Sequence, residues 1–372
     1  MTQEFLGNSQ FQISNQLVSA SCPSNIALIK YWGKYENQIP ANPSISYTLN
    51  HCRTNTTMEF FAGEDFSVQT FLAGNEEKKF AEKIEKYFKN IEPYLPWILK
   101  GKYIIKTENT FPHSSGIASS ASGFGAIAKC LMNLDGIFSD KEGFESLSLT
   151  ETKSLREPQA DNHQPSTINQ KASFLARLGS GSACRSLYEG LVVWGKTEEV
   201  EGSSDLFAVQ YPNEEIHPIF KNFNDWVLLI HEGQKSVSST VGHGLMNTNP
   251  YAERRFQEAH ENFTKLKTIL SSGDMEGFIK LVEHEALTLH AMMMMSNPAF
   301  ILMKTGTLEV INKIWDFRRI TGLSLFFTLD AGANVHLLFP NDIDNDRITD
   351  FIKTELIPLT QKGGVVKDVM RF

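Results

Sequence analysis

The chain reads as an α+β protein of two lobes, and three observations predict this. Strand-like runs dominate the first 110 residues. The stretch from 251 to 318 is almost wholly helical in its apolar spacing, and strand patterns return at "LSLFFTLDAG" and "NVHLLFP". A length of 372 residues suits two domains of roughly 150 residues each or one large two-lobed unit. We place the first lobe at 1–200 and the second at 201–372, with the seam near 195–225.

The elements follow in order. Residues 1–16 are polar and read as a loose arm. Residues 17–30 form a strand ending in "IALIK", with "YWGK" directly after it. Residues 44–50 and 53–62 read as an antiparallel pair, followed by a strand at 66–72. In 75–91, Phe80, Ile84, Tyr87 and Phe88 share one helical face. Residues 102–109 form a strand and 115–134 a helix, its apolar positions following the i, i+3, i+4 rule. The polar segment 152–170, broken by Pro158 and Pro165, reads as a surface excursion. A short helix at 170–179 ends on Gly179, and strands follow at 187–196 and 225–233. Three helices occupy 251–318, with the "AMMMM" run as adaptable core filler. Two strands, a helix at 346–355 and a tail close the chain.

Composition excludes several classes. Hydrophobic residues at 41% and charged residues at 21% are ordinary for a globular protein. A net charge of −8 argues against a nucleic-acid partner, which requires a basic face. It leaves anionic small substrates open, since these need only a local positive pocket. No stretch approaches the roughly 18 apolar residues that span a bilayer, and the polar N-terminus does not read as a signal peptide. Cys22, Cys52, Cys130 and Cys184 form no CxxC pair and read as reduced, buried thiols of a cytoplasmic protein. His284 and His290 lack the HExxH spacing, so no metal ligands are assigned.

Four segments carry candidate chemistry. In "TENTFPHSSGIASSASG", Pro112 and a run of small residues precede a helix. Free N–H groups and the helix dipole there can cradle phosphate; the alternative reading is small residues that serve close packing. The GxxxxGK[ST] loop is absent. In "RLGSGSACRSLYEG", Ser180, Gly181 and Ser182 form a donor-rich turn followed by Arg185. That suits a carboxylate or phosphate, though the segment alone favours a helix cap with a surface ion pair. In "FFTLDAGANVH", Asp330 ends an apolar strand as a positioned base or as a turn-capping carboxylate. "GQKSVSSTVGHG" is a polar loop bearing Lys235 and Ser239.

Together, "NIALIKYWGK", "FPHSSGIASSASG", "RLGSGSACRSLYEG", "KSVSST" and "FTLDAGAN" resemble the diphosphomevalonate decarboxylase family of the GHMP kinase superfamily, over about 17–340. The resemblance implies a two-lobed GHMP-kinase-like fold with the active-site cleft between the lobes, a homodimer, and use of ATP and Mg²⁺. It implies phosphorylation of the 3-hydroxyl of 5-diphosphomevalonate, then loss of phosphate and CO₂ to give isopentenyl diphosphate. Asp330 matches the catalytic aspartate that orients or deprotonates the hydroxyl. Lys30 matches the lysine paired with it, a cation that keeps the carboxylate ionised. Arg185, with Ser180, matches the grip on the C1 carboxylate. Tyr31, Lys34, Ser182 and Ser239 match the diphosphate site. Pro112, Ser115, Gly116, Ala118, Ser119 and Ser120 match the loop around the ATP phosphates.

The chain also departs from the family pattern. Pro43 stands where a small polar residue is usual, "HSSG" with His113 stands for "TAAG", and Ala333 stands for a proline. Lys78 and Lys79 follow the "LAG" turn where an arginine is expected, and a lysine does not reproduce its fork. Decarboxylation of 5-phosphomevalonate and a kinase that stops at 3-phosphorylation therefore stay open. A non-catalytic relative would be expected to lose Lys30 or Asp330, and neither is lost.

Overall fold

The computed structural model of the chain describes residues 2–8, 10–112, 117–139, 168–231, 233, 237–341 and 345–371. Its first long element, β1 (Gln16–Ile29), alternates buried and accessible positions up to Cys22 and is buried throughout thereafter. That change marks a strand covered on one face and then on both. β2 runs unbroken over Ser44–Ala62, where the sequence predicts an antiparallel pair at 44–50 and 53–62. The polar residues Asn50 and His51 look like a turn. Instead the N–H groups of Asn50, His51 and Cys52 donate to the Asp368 carboxylate at 2.6–3.0 Å, and the chain stays extended. Further elements are β3 (Ser67–Leu72), the short β4 (Asn75–Glu76), α1 (Lys78–Ile91) and β5 (Gly101–Asn109). The predicted start of α1 at 75 therefore falls in a β-turn pair rather than in the helix. α2 (Ser119–Phe138) and α3 (Ile168–Gly179) complete the first half. The expected surface excursion at 152–170 lies mostly outside the described residues.

The chain divides into two compact units. The first comprises Met1–Pro23, Arg53–Thr110 and Ser120–Leu187. In it β2 pairs antiparallel with β5 from Thr54↔Asn109 to Ala62↔Gly101. β3 lies parallel to β5, with α1 as the crossover. Aromatic residues fill this core: the Phe60 ring meets Trp97, Tyr103 and Phe138, and Phe124 stands edge-on to Tyr87. Gly125 of α2 packs directly on Cys22, so any Cβ there would push β1 away.

The second unit comprises Ser24–Cys52, Phe111–Ser119 and Tyr188–Phe372. Its elements are β6 (Leu191–Trp194), β7 (Ala208–Gln210), β8 (Asn222–Leu228), α4 (Ser239–Leu245), α5 (Ala252–Ser272), α6 (Met275–Met294), α7 (Thr305–Thr321), β9 (Phe326–Thr328), β10 (Val335–Pro340), α8 (Asn345–Phe351) and β11 (Val365–Arg371). The expected C-terminal tail is thus a strand, pairing with β8 from Val365↔Leu228 to Arg371↔Asn222. The sheet order is β11-β8-β10-β9, antiparallel throughout. Period two assigns its faces. Phe223, Val227, Phe326 and Leu338 join α5 and α6 residues such as Phe263 and Val282 in one core. Trp226, Leu228, Phe327 and Leu337 join α7 and α8 residues in another.

The four cysteines are free and buried, as the sequence predicts. The Cys22 thiol donates to the Ser186 carbonyl at 2.8 Å. Burial pushes the Cys184 thiol up to about 12, so it stays protonated and inert. Among the described residues, no helix is long and apolar enough to cross a membrane.

Candidate active site

Lys30 is the first residue past β1, and its side chain is only 2% exposed. A strand end delivers it inward because Ile26–Ile29 are buried in the core just before it. Its Nζ donates to the Ala27 carbonyl at 2.6 Å and to Asp330 Oδ1 at 3.2 Å. Asp330 follows β9 on the "DAGAN" turn and keeps a 27% exposed side chain. The pair expected from sequence therefore meets, with the lysine inside and the carboxylate at the accessible side.

The Lys30 backbone is held as closely as its side chain. Its N–H donates to Glu285 Oε2 at 2.9 Å, and its carbonyl accepts from Asn42 Nδ2 at 3.0 Å and Arg255 Nη2 at 3.3 Å. Glu285 and Arg255 form a forked pair at 3.0 and 2.5 Å, with neither side chain exposed. Asn262 adds a donor to Glu285 at 2.7 Å. Asn42 also donates to the carbonyl of Pro43 at 2.8 Å, so the unusual proline sits beside a residue that orients Lys30. The Asp330 carbonyl accepts from Gly332 N–H at 2.6 Å and pairs with His290 Nε2 at 3.1 Å.

The next residues build a tight aromatic wedge. Gly33 adopts φ +104°, and its N–H donates to His243 Nδ1 at 3.0 Å. The His243 ring packs on Tyr31 and Trp32, with centroids 4.3 and 4.6 Å away, and Tyr31 also meets Trp194 edge-on. Burial first, and Lys34 second, hold the His243 pKa down at about 3, so the ring is neutral. Trp32 packs with Met246, Leu289 and Met293 as a core wedge. Lys34 Nζ donates to Gln38 Oε1 at 2.7 Å. Ser239 opens α4, exposed, just after Ser238 caps that helix through Val241 N–H.

α2 begins at Ser119 directly after Ala118, whose φ is +36°. A non-glycine residue in that region is strained and recurs at ligand clamps. Ser120 Oγ lies 3.3 Å from Ser180 Oγ, so those two expected site residues meet. Arg185, in the turn of Gly181–Leu187, is 2% exposed. Pro112 is exposed; Ser115, Gly116, His113 and Lys235 lie outside the described residues. Small side chains and two hydroxyls at the start of a 20-residue helix, whose dipole favours negative charge there, fit nucleotide phosphates. Among the described residues, no three His, Cys, Asp or Glu side chains cluster as metal ligands. Mg²⁺ usually needs only one or two protein oxygens beside substrate phosphates.

Sequence reasoning missed Arg255, Glu285, His290, Asn42 and His243. A signal was present in α6: Leu281, Val282, Glu285, Leu289 and Met293 recur at helical spacing and are buried, so a glutamate interrupts an apolar stripe.

The mixed α+β architecture with two sheets is that of a GHMP-kinase-like enzyme, and solved structures match over nearly the whole chain. One, a mevalonate diphosphate decarboxylase from Legionella pneumophila, superposes with TM-score 0.75 at 27% identity, covering 94% of this chain and all of that one. Another, described as MDDEF in complex with MVAPP, AMPPCP and magnesium, has TM-score 0.74 at 25% identity, covering 96% and 98%. The diphosphomevalonate decarboxylase of Schizosaccharomyces pombe is 30% identical, over 86% of this chain and 78% of its own length. The profile of the diphosphomevalonate decarboxylase-like N-terminal domain matches residues 22–154 and 158–207, and that of the mevalonate 5-diphosphate decarboxylase C-terminal domain matches 226–369. The chain belongs to the diphosphomevalonate decarboxylase family of carboxy-lyases.

Proposed function

We propose that the chain converts 5-diphosphomevalonate and ATP to isopentenyl diphosphate, CO₂, ADP and phosphate. The observation that carries this is the 3.2 Å contact of Lys30 with Asp330 in a chain of this family. ATP supplies the phosphoryl group, and Mg²⁺ offsets charge on its phosphates.

A tertiary alcohol is hindered, so placement dominates its reactivity. Asp330 accepts the 3-hydroxyl proton or fixes the hydroxyl in line, and the Lys30 ammonium balances charge beside it. Loss of the C3–O bond to phosphate then draws the C1–C2 electron pair into a C2–C3 double bond as CO₂ leaves. Arg185 and Ser180 hold the C1 carboxylate until that step. Tyr31, Lys34, Ser182 and Ser239 hold the diphosphate. Pro112, Ala118, Ser119 and Ser120, with Ser115 and Gly116, hold the nucleotide phosphates.

The test is Asp330→Asn. It should lose at least about a thousandfold in kcat, at the upper end of general-base effects, while calorimetry shows substrate binding little changed. A wild-type rate in that variant would remove Asp330 from the chemistry.

A further inference from the structure

We infer that helix α6 is the ruler that sets the Lys30–Asp330 spacing, with Glu285 and His290 as its positioning residues. This rests on the proposed roles of Lys30 and Asp330. Both residues stand just past strand ends. Each is then held from the same helix. Glu285 Oε2 accepts the Lys30 N–H at 2.9 Å. His290 Nε2 lies 3.1 Å from the Asp330 carbonyl, and since a carbonyl only accepts, the imidazole carries its proton on Nε2. The two side chains are five residues apart on α6, or about 7.5 Å of helical rise. A rigid helix thus ties together two residues that are 300 positions apart in sequence.

Stability alone does not explain the arrangement. A fully buried ion pair seldom stabilises more than apolar side chains of the same volume, and Arg255 with Glu285 is fully buried. Arg255 Nε has no hydrogen-bond partner among the described residues, so the pair is not even fully satisfied. What the pair does supply is a fork that grips Glu285 while its Nη2 also reaches the Lys30 carbonyl. Lys30 is therefore fixed at both backbone polar groups. A misplacement of about 1 Å at a reacting centre can cost about a hundredfold in rate, which is the scale this clamp controls.

The test measures kcat, both KM values and the melting temperature in Glu285→Gln, His290→Leu, His290→Gln and Lys30→Met. The double variant Arg255→Met/Glu285→Leu removes the buried charges together and guards against simple misfolding. The inference expects folded Glu285→Gln, His290→Leu and double variants with kcat down about tenfold or more and both KM values within about threefold. His290→Gln, whose amide can reproduce the Nε2 donor, should recover most of the rate. Folded variants at wild-type kcat beside an inactive Lys30→Met would overturn the positioning role. Lys30→Met turning over at the wild-type rate would overturn the reading of the site, and the inference with it.

Discussion

Lys30 and Asp330 meet at 3.2 Å although 300 positions separate them, and the lysine is the buried partner. Its charge is thus spent within the site rather than on solvent. Lys30→Arg keeps that charge but forces a larger planar group into a closed space, at about 1–3 kcal/mol for overpacking. We expect a lower melting temperature and a kcat loss of about a hundredfold, read by calorimetry and steady-state assay.

Arg185→Lys should weaken substrate handling. A forked, two-point grip becomes a point charge, and a hydrogen bond to a charged group contributes about 1.5–3 kcal/mol. The expected loss in kcat/KM is about 10–100-fold. Unchanged kinetics with the organic substrate would remove Arg185 from the carboxylate site.

Gly33→Ala tests the turn after Lys30. The residue has φ +104°, and an added Cβ would come within 2.7–2.8 Å of the Phe256 ring. A left-handed non-glycine residue costs about 1–3 kcal/mol before any clash. Denaturant unfolding should show at least that loss, with reduced kcat because Tyr31 and Lys34 flank the turn.

His243 gives a pH prediction. Its folded pKa, about 3, lies below its ordinary value of 6.5. Between those values the unfolded chain binds a proton that the folded chain does not. Stability therefore falls as pH drops below 6.5, by up to about 1.4 kcal/mol per unit, and above 6.5 this group contributes no slope. His243→Asn keeps an acceptor for the Gly33 N–H but cannot titrate. Urea unfolding at pH 7 and pH 5 should show a smaller acid loss in the variant than in the wild type. Equal losses would contradict the neutral, buried imidazole.

Elements with strong periodicity were legible in the sequence, and those set by distant partners were not. α1, α5 and α7 appear where their apolar spacing predicts, within a few residues at their ends. β2 was misread because Asp368, more than 300 positions away, supplies the acceptors that keep residues 50–52 extended. β11 was missed because "VVKDVMRF" carries no alternation to mark it, and its partner β8 lies far off in sequence. At the site, Lys30 and Asp330 were legible through their motifs. Glu285 and His290 act on backbone atoms and belong to no motif, so only the folded chain brings them to the pair.

The most direct test of the central claim is the CO₂ released per ADP formed, with purified protein, ATP and Mg²⁺. 5-Diphosphomevalonate and 5-phosphomevalonate should be compared side by side, because Lys78 and Lys79, exposed at the start of α1, stand where an arginine was expected. A ratio of one to one with the diphosphate, and a much lower kcat/KM with the monophosphate, is the predicted result. ADP without CO₂, or preferential turnover of the monophosphate, would contradict it.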